Sequence, residues 1–251
     1  MKNILLKDDE RIDDLQLQGM KIIQNEKGFC FGIDSVLISD FAKEIKQGEK
    51  CVDLGTGTGI ITILLCAKTK LSEIIGIEIQ KDVAEMAQRS IILNQLENRA
   101  KIINIDIKEI LMERSILKKA FFDSVVMNPP YKKVETGKVN ENEKLMISRH
   151  EITANLSEFI KTASYLLKDK GALYMVHRPE RLADIIECLR KEKIEPKRIR
   201  FVYPRENKEP NLVLIKAVKN AKPFLKIEKP LFVYQEDNIY TKEILEIYHK
   251  L

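Results

Sequence analysis

Between Val52 and Gly59 the chain reads Val-Asp-Leu-Gly-Thr-Gly-Thr-Gly, where a short apolar segment, Cys51 to Leu54, meets a nearly unbroken apolar run from Ile60 to Ala67. Alternating glycines after a strand let the backbone turn sharply and pass close to a ligand that side chains would exclude. The same strand and helix rhythm then repeats. The pattern predicts a helix over Gly59 to Lys68, a strand over Ile74 to Ile79, a helix over Lys81 to Leu96, a strand over Ala100 to Ile105 and a short helix from Ile107. Parallel strands joined by helices are the architecture that such alternation builds.

The rest of the chain is organised around that unit. Phe122 to Met127 reads as a fourth strand, followed by Asn128-Pro129-Pro130-Tyr131 and an aperiodic polar stretch from Lys132 to about Asn142 that suggests a mobile lid. Helix Leu156 to Leu167 with Gly171 as its stop, strand Ala172 to His177, helix Pro179 to Lys191 and strands Arg198 to Tyr203 and Asn211 to Val218 bring the expected count to seven strands. Ahead of the glycine loop, Leu15 to Phe31 alternates like two short strands, and Asp34-Ser35 is placed to cap a helix to about Ile45. The expected division is residues 1–48 as a hairpin and helix, 49–220 as the main domain and 221–251 as an appendage packed on it.

Three acids lie at or just after strand ends. Asp53, just before the glycines, suits a cationic ligand bearing an amino group or a sulfonium. Glu78 lies 23 positions after Gly55, beside Ile79, where a carboxylate can accept hydrogen bonds from two ribose hydroxyls. Asp106, before Ile107, is placed either to reach an adenine amino group or simply to cap a helix. The pyrophosphate fingerprint G-x-G-x-x-G is broken, because Ile60 stands where its last glycine belongs. That spacing argues against a nicotinamide oxidoreductase.

Asn128-Pro129-Pro130-Tyr131 closes a strand at the same carboxyl edge as the glycine loop. Prolines stiffen the turn and lack an N–H, so their carbonyls are free to accept. The Asn128 side-chain oxygen and the Pro129 carbonyl can then hold the two hydrogens of a planar NH₂, with Tyr131 stacked on its plane. An aromatic amine is a poor nucleophile because its lone pair is delocalised. Two acceptors pulling on its hydrogens favour a pyramidal nitrogen aimed at a methyl carbon, so positioning rather than acid or base chemistry carries the rate.

Taken together, Val52 to Gly59, Glu78, Asp106 and Asn128 to Tyr131 resemble the successive motifs of class I S-adenosylmethionine (SAM) dependent methyltransferases of the amino-methylating branch. More narrowly, Gly28 to Leu37 and Ser148-Arg149-His150-Glu151 resemble the bacterial tRNA1(Val) adenine N6-methyltransferases, which modify the adenine next to the anticodon. The resemblance implies a Rossmann-like, mostly parallel seven-stranded sheet with helices on both faces and the last strand antiparallel. It implies SAM as methyl donor, leaving S-adenosylhomocysteine, with Gly32 and Asp34 bordering the methionine end beside Asp53, Gly55, Gly57, Gly59, Glu78, Ile79, Asp106, Ile107 and Asn128. Pro130, Tyr131, Lys132, Lys133, Arg149 and Arg205 become the expected acceptor contacts.

Charge points the same way. The net charge is +5, yet residues 161–229 hold 18 basic and 9 acidic residues and the remainder is net acidic. A regional surplus of this kind suits RNA, tRNA first, although a lysine-rich solvated surface looks similar. Neither a metal site nor a membrane span is expected, four irregularly spaced cysteines suggest a reducing compartment, and the expected location is the cytoplasm. Other planar-amine acceptors remain open: a protein glutamine amide, guanine N2 of ribosomal RNA, and adenine in DNA. So does a non-catalytic RNA-binding module that keeps the fold.

Overall fold

Side chains along the central strands alternate between two separate cores. In the computed structural model, which describes residues 6–28, 30–112, 116–131, 155–236 and 238–250, Cys51, Ile74, Val126 and Tyr174 face one core, while Val52, Ile75, Val125 and Leu173 face the other. A strand buried on both faces must be covered by helices on both sides. Helices α1 (Ile33–Phe41), α2 (Ile60–Lys68) and α3 (Lys81–Leu93) cover the first face, and α4 (Leu156–Leu166) and α5 (Leu182–Lys191) the second.

The main sheet is formed by β3 (Lys50–Leu54), β4 (Glu73–Glu78), β5 (Ala100–Asn104), β6 (Phe122–Met127), β7 (Leu167–His177), β8 (Ile194–Tyr203) and β9 (Leu212–Lys219). Their spatial order is β5-β4-β3-β6-β7-β9-β8. The pairings from β5 to β7 are parallel, and β9 is antiparallel to both its neighbours. These are the seven expected strands with the expected antiparallel last one. Two short strands, β10 (Lys226–Ile227) and β11 (Leu231–Phe232), add to the edge of β8 and make the sheet nine-stranded. A small helix, α6 (Lys242–Ile247), capped by Thr241, completes the described chain.

Several boundaries differ from the sequence reading. The N-terminal hairpin is β1 (Glu10–Asp14) and β2 (Lys21–Asn25), so its first strand lies before Leu15. Helix α1 has Gly32 as its N-cap, which carries no side chain to cap it, and Asp34 lies inside the first turn rather than ahead of the helix. Gly171 does not stop a helix: α4 passes straight into β7, and Gly171 sits inside that strand near a register shift in its pairing with β6. β8 begins four residues before Arg198 because a second register shift accommodates Pro196. The helix expected from Ile107 is a single 3-10 turn, Glu109–Leu111.

The hairpin is fastened to α3. Arg89 donates two hydrogen bonds to the Glu10 carboxylate at 2.6 and 2.7 Å, with side chains 15% and 6% exposed, and the Ile23 backbone N–H donates to Ser90 Oγ. Breaking the pair with Arg89→Met should cost about 2 kcal/mol in urea unfolding at pH 7, less than for a deeply buried pair because the hairpin lies at the rim. Arg89 holds the Glu10 carboxyl below the usual carboxylate range. Its contribution is therefore complete above the unfolded pKa and lost as pH falls through the lower folded value. Wild type and variant should converge in acid; a difference that persists there contradicts this fastening.

Candidate active site

The chain runs outward from β3 through β4 to β5 and then returns to the other side of β3 as β6. Ligands in open α/β sheets sit at the carboxyl ends of strands where the order reverses in this way. Leu54 is the register partner of Met127, so Gly55 and Asn128, one residue further on, emerge side by side. The two motifs separated by some seventy residues of sequence thus end on neighbouring strands, about 4.8 Å apart.

The glycine loop is held by its backbone. Gly55 and Thr56 N–H both donate to the Ile77 carbonyl, and Gly55, Gly57 and Gly59 have φ of 73°, 55° and 86°, a region that side chains disfavour. A Cβ built on Gly57 would meet no protein atom within 4 Å, which leaves space beside the loop for a ligand. Asp53 does not line that space openly. It is fully buried on the α2 side of β3, where Thr56 Oγ1 at 2.6 Å and Thr62 Oγ1 at 3.0 Å donate to its Oδ2. Burial pushes its carboxyl up to about 6 against the opposing pull of both threonines, and Oδ1 has no protein partner.

Glu78 is 6% exposed and reaches back to the loop: its Oε2 accepts from Gly57 N–H at 3.0 Å and its Oε1 from Gln80 N–H at 2.8 Å. Each carboxylate oxygen keeps further lone-pair capacity, so a second role in accepting ribose hydroxyls is compatible with holding the loop. Ile79 beside it is 36% exposed, an apolar surface where a flat base would pack. Asp106 Oδ1 accepts from Lys108 N–H in a local turn, and Ile107 is buried with its carbonyl accepting from Thr162. This glycine cradle, the carboxylate at the end of β4 and the orphaned Asp53 oxygen fit the SAM nucleoside and its cationic end.

Asn128, Tyr131 and Asp34 come together. Asn128 Nδ2 donates to Asp34 Oδ2 at 3.0 Å, and the Tyr131 hydroxyl lies 2.8 Å from the same Oδ2 and 2.7 Å from Asn128 Oδ1. Burial and the Asp34 charge push the Tyr131 phenol up, so it remains a donor. Pro129 is buried and Pro130 exposed. Around the Tyr131 ring lie the His177 imidazole, edge-on at 5.1 Å, and the Arg178 guanidinium, 5.0 Å from the ring centre. Burial and the nearby Arg181 push His177 down to about 4, leaving it neutral at pH 7.

The sequence reading missed that His177 and Arg178 flank Tyr131. The available signal was that β7, which they end, follows β6 in the chain. It also missed Tyr248, whose phenol is raised by burial, by Tyr240 and Tyr234, and by the Asp34 charge. Tyr234, Tyr240 and Tyr248 form a column with centroids 5.2 and 5.7 Å apart. Arg205, at the β8 to β9 turn, donates to Asn238 Oδ1 and sits roughly 14 Å from β6, three strands away. Lys132, Lys133, Arg149 and the expected lid lie outside the described residues. Among those residues no cluster of metal-ligating groups occurs and no helix is long and apolar enough to cross a membrane.

The methyltransferase small domain model matches residues 33–190, from α1 through most of α5. The chain belongs to that family. It is 31% identical over 186 residues to a tRNA1(Val) (adenine(37)-N6)-methyltransferase of Porphyromonas gingivalis, covering 73% of this chain and 72% of the relative. Among solved structures, it resembles a predicted O-methyltransferase of Agrobacterium tumefaciens at TM-score 0.70 and 21% identity, over 86% of this chain and 95% of that one. It also resembles M. jannaschii TYW2 in complex with AdoMet at TM-score 0.57 and 16% identity, over 85% and 87%. The last two likenesses establish the methyltransferase fold.

Glu78→Ala in this methyltransferase should weaken S-adenosylhomocysteine binding by about 1.5 to 3 kcal/mol, the range for hydrogen bonds to a charged group. Calorimetry on the folded variant reads this directly; unchanged affinity would remove Glu78 from the cofactor site.

Proposed function

We propose that this chain transfers the methyl group of SAM to N6 of an adenine in tRNA beside the anticodon. The observation that carries the reading is the placement of Asn128 and the rigid Pro129-Pro130 turn beside the glycine loop, at the end of the neighbouring strand. SAM, when bound, supplies an electrophilic methyl on a sulfonium. Asn128 Oδ1 and the Pro129 carbonyl accept the two amine hydrogens, fixing the nitrogen's direction and shifting its lone pair out of the ring. Tyr131 packs on the acceptor plane. Gly57 makes room for the donor while Gly55 and Gly59 let the loop turn closely against Phe159 and Ala87; Glu78 binds its ribose, and Ile79, Asp106 and Ile107 bound the adenine end.

Several observations favour a nucleic acid acceptor. Among the described residues, Arg178 and Arg205 direct hydrogen bonds to neutral oxygens, of Asn211 and Asn238, and pair with no carboxylate. Part of the basic surplus is committed to ion pairs: Arg198 and Lys216 pair with Glu44, and Arg200 with Glu243. Arg178 and Arg205, which follow β7 and β8, are the proposed phosphate contacts, with Lys132, Lys133 and Arg149 as further candidates. The named relative, an adenine N6-methyltransferase of tRNA, supports the same choice. A base must leave its stack to reach a crevice of this kind, which favours an unpaired loop adenine over one in a duplex.

Incubation with labelled SAM and separate pools of tRNA, ribosomal RNA, DNA and release factor, followed by nucleoside digestion, tests this reading. N6-methyladenosine from tRNA is the expected product, with transfer falling as salt rises. Methylglutamine, N2-methylguanosine or label only in DNA would contradict it, and absence of transfer to any pool would favour a binding module.

A further inference from the structure

An asparagine can serve as an amine acceptor only if its oxygen, not its nitrogen, faces the amine. The two ends of an amide have nearly the same size, so packing alone does not choose between them; hydrogen-bond partners do. At Asn128 the chooser comes from the far end of the domain. Asp34, 94 residues earlier in the chain, presents Oδ2 at 3.0 Å from Asn128 Nδ2. An ionised carboxylate only accepts, so a flipped amide would set two acceptors against each other, and the flip is disfavoured. The same bond polarises the amide, because a nitrogen donating to an anion leaves more electron density on its carbonyl oxygen.

The Tyr131 hydroxyl adds a second consequence. It has one hydrogen and two acceptors, Asp34 Oδ2 and Asn128 Oδ1, at 2.8 and 2.7 Å. While its hydrogen points to Asn128 it takes one of the two lone pairs of the oxygen that the amine needs. Rotating that hydrogen to Asp34 frees that lone pair of Asn128 Oδ1 without moving a heavy atom. Asp34 is itself fixed. Its Oδ1 accepts from Ser35 N–H at 3.0 Å, and it stands in the first turn of α1, where a helix favours negative charge. A Cβ on Gly32 would come within 2.7 Å of that Oδ1, so a side chain at position 32 would displace the carboxylate.

We infer that Asp34 is a positioning residue for the acceptor site, orienting the Asn128 amide and taking up the Tyr131 hydroxyl hydrogen when the amine arrives, with Gly32 present to let it do so. This differs from a place beside the methionine end of SAM, and it rests on the reading of Asn128 as the amine acceptor.

The test uses the full chain with Asp34→Ala, Asp34→Asn and Gly32→Ala. The Asn128 side-chain amide resonance, assigned by its loss in Asn128→Ala, is followed in 15N spectra without RNA. Calorimetry measures SAM affinity, and single-turnover methylation of tRNA at saturating SAM measures the chemical step. In Asp34→Ala the amide resonance should move and the single-turnover rate fall about 10²-fold, as expected for a misplaced reacting group, while SAM affinity stays within a few-fold. Asp34→Asn, which keeps shape and one acceptor, and Gly32→Ala, which keeps the charge but shifts it, should fall between. Either guards against misfolding of Asp34→Ala. An unmoved Asn128 resonance in Asp34→Ala overturns the inference, as does lost SAM affinity with a normal rate at saturation. Wild-type protein that methylates no adenine would refute the proposed function instead, and the amide resonance would still decide the orienting role of Asp34.

Discussion

The parallel pairing of β3 with β6 is the contact on which the site depends. Leu54 opposite Met127 brings the turn after one strand next to the turn after the other, although two helices, two strands and a 3-10 turn intervene in sequence. A shift of one residue in that register would turn the side chains of β6 to the opposite core. Val125, Val126 and Met127, alternating between two cores, hold it in place. The donor loop and the acceptor turn are thus set by ordinary hydrophobic packing well away from the chemistry.

Around that junction, acids hold the loops as well as offering ligand contacts. Asp53 collects two threonine hydroxyls beneath the glycine turn, and Glu78 clasps the backbone of Gly57. The Asp53 arrangement carries an electrostatic cost, visible in a carboxyl pushed up to about 6 by burial, that a cation bound nearby would offset. Asp34 does the corresponding work on the acceptor side. Preorganised groups of this sort let a site act through position, with little proton transfer to arrange.

How much of this was legible in the sequence depended on range. Strand β6 lies where the sequence reading placed it, Phe122 to Met127, because a mostly apolar stretch ending in a proline turn has few other homes. The α/β class and the β3 to β6 crevice followed from local pattern and topology. Boundaries failed where a local breaker was absorbed by a register shift, as at Gly171 and Pro196. Partnerships across long separations were not readable. Nothing local to Asp34 says that its carboxylate meets Asn128 and Tyr131, and its neighbour Ser35 made a helix cap the natural reading. Tyr131 was legible as a ring but not as a hydroxyl bound between two acceptors, and Tyr248 carries no motif at all.

The account stands or falls on Asn128. Single-turnover methylation by Asn128→Ala, with saturating SAM and an RNA whose target adenine is unpaired, separates the acceptor from the donor. The account predicts a rate reduced by about 10²-fold or more, as for loss of a preorganised polar contact at a reacting group, with SAM affinity close to that of the wild type. A variant that transfers methyl at the wild-type rate would contradict it.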